Sequence, residues 1–223
     1  MNAVITYIFG KGQEILRDPL VIDPDVDYIC VTDQKHIRSN KWRIIYDKIP
    51  KAKCTRDKMP LVKYNPFSYT IADKVIVLDG TLQITGTLNH LFEMLDEVPL
   101  LIKKHPTRTT LSDELNAWIK LRGVDPYIIP AFHAMASVDD ISLDRKFLVE
   151  SCILGFNNSP EIITLCCYVL AYMLFLGHNG KMCMTNQCPL TYLIEKMNIP
   201  YSFIDQATVA TRYRHNSWIK VNR

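Results

Sequence analysis

Lys74-Val75-Ile76-Val77-Leu78-Asp79-Gly80-Thr81 is the stretch on which the fold turns, because four apolar residues run directly into a carboxylate and a glycine. A continuous apolar run of strand length, without alternation, marks a strand buried on both faces, and such strands belong to parallel sheets covered by helices. Asp79 then stands at the carboxyl end of its strand. Open α/β sheets bind ligands at those ends, so Asp79 is placed to hold a metal-bound phosphate, with Gly80 letting the ligand approach the backbone. Asp-Gly is also a common turn dipeptide, and a strand followed by a plain turn is the alternative.

Outward from that stretch, the chain alternates strands with helices. Ala3 to Phe9 is an apolar strand ending at Gly10-Lys11-Gly12, Asp27 to Thr32 is a second buried strand ending on Asp33, and Lys41 to Tyr46 is a third. Side by side in a parallel sheet, Gly10, Asp33 and Asp79 would form one rim, as in a nucleotide-binding α/β domain. Lys51, Lys53, Arg56, Lys58 and Lys63 make a basic segment, which is either a solvated helix face or a set of phosphate-binding cations. Thr87 to Leu95 is a helix capped by Thr87 or Asn89, and Pro99 to Lys103 is a short strand. Further on, Ser112 to Leu121 is helical, Pro126 and Pro130 break the chain, and Phe147 to Phe156 returns as a strand. Ile162 to Leu176 is a helix behind Ser159-Pro160, Pro189 to Met197 another, and Tyr201 to Ile204 a last strand.

The bulk properties are those of one globular domain: 223 residues, 48% apolar, 22% charged, net charge +3. That charge is too small to announce a nucleic-acid binder, yet it does not repel nucleotide phosphates. Seven cysteines, an odd number lying mostly among apolar residues, read as small core hydrophobes of a reduced compartment, so a cytoplasmic protein is expected. The N-terminus carries no signal-peptide pattern, and the most apolar helix falls short of the roughly 20 residues a bilayer needs, so no membrane span is expected. The first strand is not followed by GxGxxG, which speaks against a dinucleotide oxidoreductase.

An ordered series of motifs carries a resemblance. Tyr28-Ile29-Cys30-Val31-Thr32-Asp33, Ser39 and Trp42, Arg56, Lys58 and Lys63-Tyr64, Val77-Leu78-Asp79-Gly80-Thr81-Leu82-Gln83-Ile84, and Lys104-His105-Pro106-Thr107-Arg108 follow one another in register with a family of small glycosyltransferase-like proteins. The similarity continues through Glu114, Leu148-Val149-Glu150-Ser151 and Asn186-Gln187, where the family tends to show Asp-Gln. The resemblance implies a single GT-A-type domain over 1–223, a Rossmann-like mixed sheet flanked by helices. Residues 1–105 would be the nucleotide-sugar half, and 106–223 the acceptor half with a C-terminal donor-site tail.

The implied activity is glycosyl transfer from a nucleotide-diphosphate sugar, with UDP-sugar as donor and divalent manganese or magnesium on the diphosphate. Asp79 matches the first carboxylate of an Asp-x-Asp motif; the second is replaced by Thr81, whose hydroxyl adds no charge, and His215 with Lys220 resembles the C-terminal element that completes the site. Magnesium-type sites need only one or two protein oxygens when phosphates and water supply the remainder. Thr6, Tyr7, Gly10 and Asp33 resemble nucleoside-holding residues, Tyr7 by stacking on the base and Asp33 by accepting from its imide N–H. Arg56, Lys58, Lys63 and Lys220 are the cations for the leaving diphosphate.

For deprotonation of the acceptor hydroxyl the candidates are Glu150 and then Glu114, the latter also explicable as a partner of a helix N-terminus. His105, Arg108, Asn186 and Gln187 fall on the acceptor side, with His105 shaping the rim by hydrogen bonding. The acceptor implied is a glycan of surface-polysaccharide type. The basic, aromatic tail from Arg212 to Lys220 leaves a hydroxymethylated DNA base, modified by a phage-type enzyme, as an alternative, and a non-catalytic nucleotide-sugar or glycan-binding relative as another.

Overall fold

A computed structural model describes residues 1–10, 15–49, 52, 55–122, 127–177, 186–205 and 213–215, with the backbone alone at 55, 56, 121, 122 and 213–215. A seven-stranded mixed sheet flanked by helices forms its centre. In chain order its strands are β1 (Asn2–Ile8), β2 (Val26–Thr32), β3 (Arg43–Tyr46), β4 (Lys74–Asp79), β6 (Leu100–Lys104), β7 (Val149–Asn157) and β8 (Tyr201–Phe203). A separate two-stranded sheet joins β5 (Leu82–Ile84) to β9 (Tyr213–His215).

The spatial order is β3-β2-β1-β4-β7-β6-β8. β1 pairs in parallel with β2 and β4, β2 with β3, and β6 with β8, whereas β7 runs antiparallel to both β4 and β6. Six strands therefore point one way and β7 the other. The start of β7 consequently lies at the rim where its neighbours end.

β4 has the environment its sequence predicts. Val75 and Val77 pack into one core cluster and Ile76 and Leu78 into the other, all at 0–1% exposure, so each face of the strand is covered. Burial of both faces selects the unbroken apolar run over alternation. One cluster takes Val62 of α1 (Thr55–Lys63), Leu115 of α3 (Leu111–Arg122), Phe132 of α4 (Ile128–Val138), Leu165 and Val169 of α5 (Pro160–Phe175), and Leu190 and Leu193 of α6 (Gln187–Lys196). The opposite cluster takes Leu91, Phe92 and Leu95 of α2 (Asn89–Glu97). Among the described residues no helix is long and apolar enough to cross a membrane.

Two local expectations are corrected. Pro130 does not break the chain; it is the third residue of α4, where its missing N–H lies among donors that have no intrahelical partner anyway. The cap position of α2 is Leu88 and not Thr87 or Asn89, although the Thr87 hydroxyl accepts from the Asn89 N–H at 3.3 Å; the Leu88 N–H donates to Oδ2 of the buried Asp23 at 2.7 Å, a carboxylate brought from 65 residues away. Gly80 has a structural reason of its own. A Cβ there would stand 2.2 Å from the Tyr7 carbonyl oxygen, so the glycine is required by the close approach of β1's own backbone.

Candidate functional site

The rim formed by the carboxyl ends of β1, β2, β4 and β6 and the start of β7 collects most of the sequence-predicted site residues. The strand order reverses direction of growth at β1, with β2 on one side and β4 on the other. Such a switch point opens a crevice between the loops that leave the two strands. Tyr7 and Asp79 are register partners across it.

Asp79 stands at the centre of the first network. The Tyr7 hydroxyl donates to its Oδ1, and Lys63 Nζ lies 2.7 Å from the same oxygen. The Lys63 side chain is 3% exposed and that of Asp79 is 33% exposed, so the ammonium is sealed behind the carboxylate while the carboxylate reaches solvent. Lys63 Nζ also donates to the Ser151 carbonyl at 2.6 Å, and the Ser151 hydroxyl donates to Asn186 Oδ1 at 2.6 Å. The ammonium stands 5.8 Å from the centre of the Tyr7 ring. Burial first, and then the Asp79 charge, pushes the Tyr7 phenol well above its ordinary value, which keeps it a donor.

A second pair repeats the arrangement two strands over, across β1. Lys58 Nζ donates to Asp33 Oδ2 at 2.6 Å, and the Gly10 N–H donates to Asp33 Oδ1 at 3.2 Å. Gly10 is left-handed, with φ of 72°, a geometry that glycine adopts without penalty. Burial of Asp33 opposes ionisation, but the Lys58 and Gly10 hydrogen bonds outweigh it and hold the carboxyl below its ordinary value. Helix α1 thus sends two lysines to the carboxylates that end β2 and β4. At Lys58 and Lys63 the basic run is not a solvated face.

The third network lies on the other side of β7. Lys103 and Glu150 are register partners on β6 and β7 and form an ion pair. Glu114 is fully buried: Arg108 Nε and Trp118 Nε1 donate to its two oxygens. His105 Nδ1 accepts from the N–H groups of Thr107 (3.3 Å) and Arg108 (3.0 Å), while Nε2 faces the Arg108 guanidinium at 2.8 Å. Burial, reinforced by Arg108, pushes the His105 imidazole below its ordinary value. His105 therefore organises its own loop through Thr107 and Arg108.

Other candidates are placed as follows. Thr6 is buried and its hydroxyl donates to the Leu78 carbonyl, a sheet contact between β1 and β4. Gln187 begins α6 next to Asn186. His215 lies on β9 in register with Leu82, three positions after Asp79, by backbone alone. The side chain of Arg56, and Lys220 altogether, lie outside the described residues, as does Arg212. Cys152 is pushed up to about 12, by burial first and then by Glu150 and Asp79, and so is no thiolate nucleophile at neutral pH.

No three His, Cys, Asp or Glu among the described residues gather around one point, so they offer no all-protein cage for a divalent ion; the His215 side chain lies outside them, and a site completed by phosphates and water draws on only one or two protein oxygens. Asp79 is the single carboxylate in its network, and its inner oxygen is engaged by an ammonium and a phenol. Sequence reasoning missed Ser151, which joins Lys63 to Asn186; a lone serine inside an apolar strand carries no signal of such a bridge. Comparison with protein-family models and with curated proteins finds no match for this chain.

Proposed function

We propose that the chain is a glycosyltransferase of GT-A type, binding a nucleotide-diphosphate sugar at the rim of β1, β2 and β4 and passing the sugar to a hydroxyl of a glycan. The observation that carries this is the gathering, at the β1/β4 switch point, of Tyr7, Asp79 and Lys63 beside Asp33 and Lys58. The carboxyl ends of parallel strands at a switch point, where Asp79 and Asp33 offer acceptors backed by lysines, suit a nucleoside with hydroxyls and phosphates, whereas the Tyr7 ring, 2% exposed, is not available to stack on a base as expected. The pairing of β9 with β5 supports the same reading, because it brings position 215 beside the Asp79 loop, as the resemblance implies.

In the chemistry proposed, the acceptor oxygen bonds to the anomeric carbon, and the bond from that carbon to the diphosphate breaks with its electron pair leaving on the diphosphate. The acceptor proton passes to the Glu150 carboxylate. Glu150 is suited because it is about a quarter exposed at the start of β7, whereas Glu114 is sealed and fully bonded and serves as a strut for Arg108. Asp79 holds and orients the donor, and the buried Tyr7 orients the Asp79 carboxylate. The test is a thermal-shift panel of uridine, guanosine and adenosine diphosphates, followed by donor turnover with oligosaccharide acceptors. A shift with one nucleotide diphosphate and sugar-dependent release of it is expected; no shift with any of them contradicts the reading.

One observation favours a second reading, a non-catalytic nucleotide-sugar binder. Both solvent-reaching carboxylates, Asp79 and Glu150, are each paired with a lysine, an arrangement that also suits a purely binding surface. Such a protein gives the thermal shift without turnover.

A further inference from the structure

We infer that nucleotide binding at this rim is independent of divalent metal, because Lys63 occupies, as a permanent cation, the electrostatic role a metal would take beside Asp79. This rests on the nucleotide-sugar reading of the site. Three features carry it. Lys63 Nζ is 2.7 Å from Asp79 Oδ1 and all but sealed from solvent, so the pair is part of the fold and not a surface contact. Lys63 is also anchored by the Ser151 carbonyl at 2.6 Å, which fixes its position even when Asp79 changes partners. Position 81, where a second carboxylate would restore negative charge, is a threonine.

A cation bound to the outer oxygen of Asp79 at an ordinary metal–oxygen distance would stand within about 7 Å of the Lys63 ammonium, which is itself sealed from water. Like-charge repulsion there removes the advantage a carboxylate gives a divalent ion. Asp79, its charge already balanced, acts instead as a hydrogen-bond acceptor for hydroxyl groups. The ligand class is therefore the neutral, hydroxyl-rich part of the donor, the ribose or the transferred sugar, with its phosphates lying toward other cations.

The experiment measures uridine diphosphate affinity of the full chain by calorimetry, once with chelator and once with manganese, and manganese binding itself by electron paramagnetic resonance. Affinities agreeing within about threefold, a difference well under one tenfold step in Kd, are expected, with no stoichiometric manganese bound to the wild type. Affinity that appears only with manganese, or stoichiometric manganese on the wild type lost in Asp79→Asn, overturns the inference while leaving the nucleotide reading intact. Absence of nucleotide binding under both conditions overturns both. Lys63→Met uncovers the Asp79 charge, and a folded variant is expected to gain manganese binding; a folded variant that gains none overturns the charge-cancelling role. If Lys63→Met does not fold, the two wild-type measurements decide.

Discussion

Glu150 and Ser151 are consecutive on β7 and belong to different networks: Glu150 pairs with Lys103, while the Ser151 hydroxyl donates to Asn186 and its carbonyl receives Lys63. The alternation of side chains along a strand accounts for the division. β7 is the one strand that runs against its neighbours, so its first residues, and not its last, reach the functional rim.

The two glutamates are expected to fail in different ways. Glu150→Gln should keep nucleotide affinity and lower transfer by about a hundredfold or more, the usual scale for a lost general base. Glu114→Gln should unfold more easily, because removing one partner of a buried, fully bonded pair costs about 3 kcal/mol or more. Urea denaturation and initial rates on both variants check this, and wild-type turnover in Glu150→Gln would contradict its role.

Ser151→Ala keeps the carbonyl that receives Lys63 and removes the hydroxyl, with its 3.4 Å contact to Lys63 Nζ and its donation to Asn186. A loss of about 1 kcal/mol in stability is expected, with weaker nucleotide affinity but an unchanged pH profile of turnover. An altered pH profile would place Ser151 in proton transfer instead.

His105 and Asp33 make stability pH-dependent in two separate windows. The folded imidazole of His105 titrates below its unfolded value, so the neutral form is favoured by folding. Its contribution is complete above the unfolded value of about 6.5 and is lost as pH falls from there toward the lower folded value. The folded carboxyl of Asp33 is depressed, so its contribution is present above about 3.9 and is lost as pH falls through the folded value. Melting curves against pH should show the first step disappear in His105→Asn, which keeps an acceptor for the Thr107 and Arg108 amides, and the second shrink in Lys58→Met. A first step that persists in His105→Asn assigns it to another group.

Gly80→Ala places a methyl group against the Tyr7 carbonyl. Relief of that clash requires β1 and β4 to part at the site, at a cost of about 1–3 kcal/mol, as for overpacking elsewhere. Equilibrium unfolding measures it, and a variant as stable as wild type would show that the loop after Asp79 yields freely.

The strands and their common rim were legible because β1, β2 and β4 are largely apolar runs, each closed by a glycine or an aspartate. The reversal of β7 was not, since nothing in Val149–Asn157 encodes direction; that depends on the connections before and after it. The basic segment was visible as charge, but which lysines turn inward depends on how α1 lies on the sheet. Lys58 and Lys63 therefore read as free cations although they arrive already paired. Glu114 read as a helix-terminus partner or a base, and its burial followed only from Arg108 and Trp118 closing around it. The structural role of Gly80 was not legible because its neighbour is a carbonyl 73 positions away in the chain.

The most direct test of the account is calorimetric titration of wild type and Asp79→Ala with uridine diphosphate, with folding of both checked by circular dichroism. The account predicts saturable binding to the wild type and at least a tenfold loss in the variant, on the scale of one charged hydrogen-bonding partner, about 1.5–3 kcal/mol. Equal affinity in a folded Asp79→Ala, or no binding to the wild type, would contradict the placement of the nucleotide at the β1/β4 crevice.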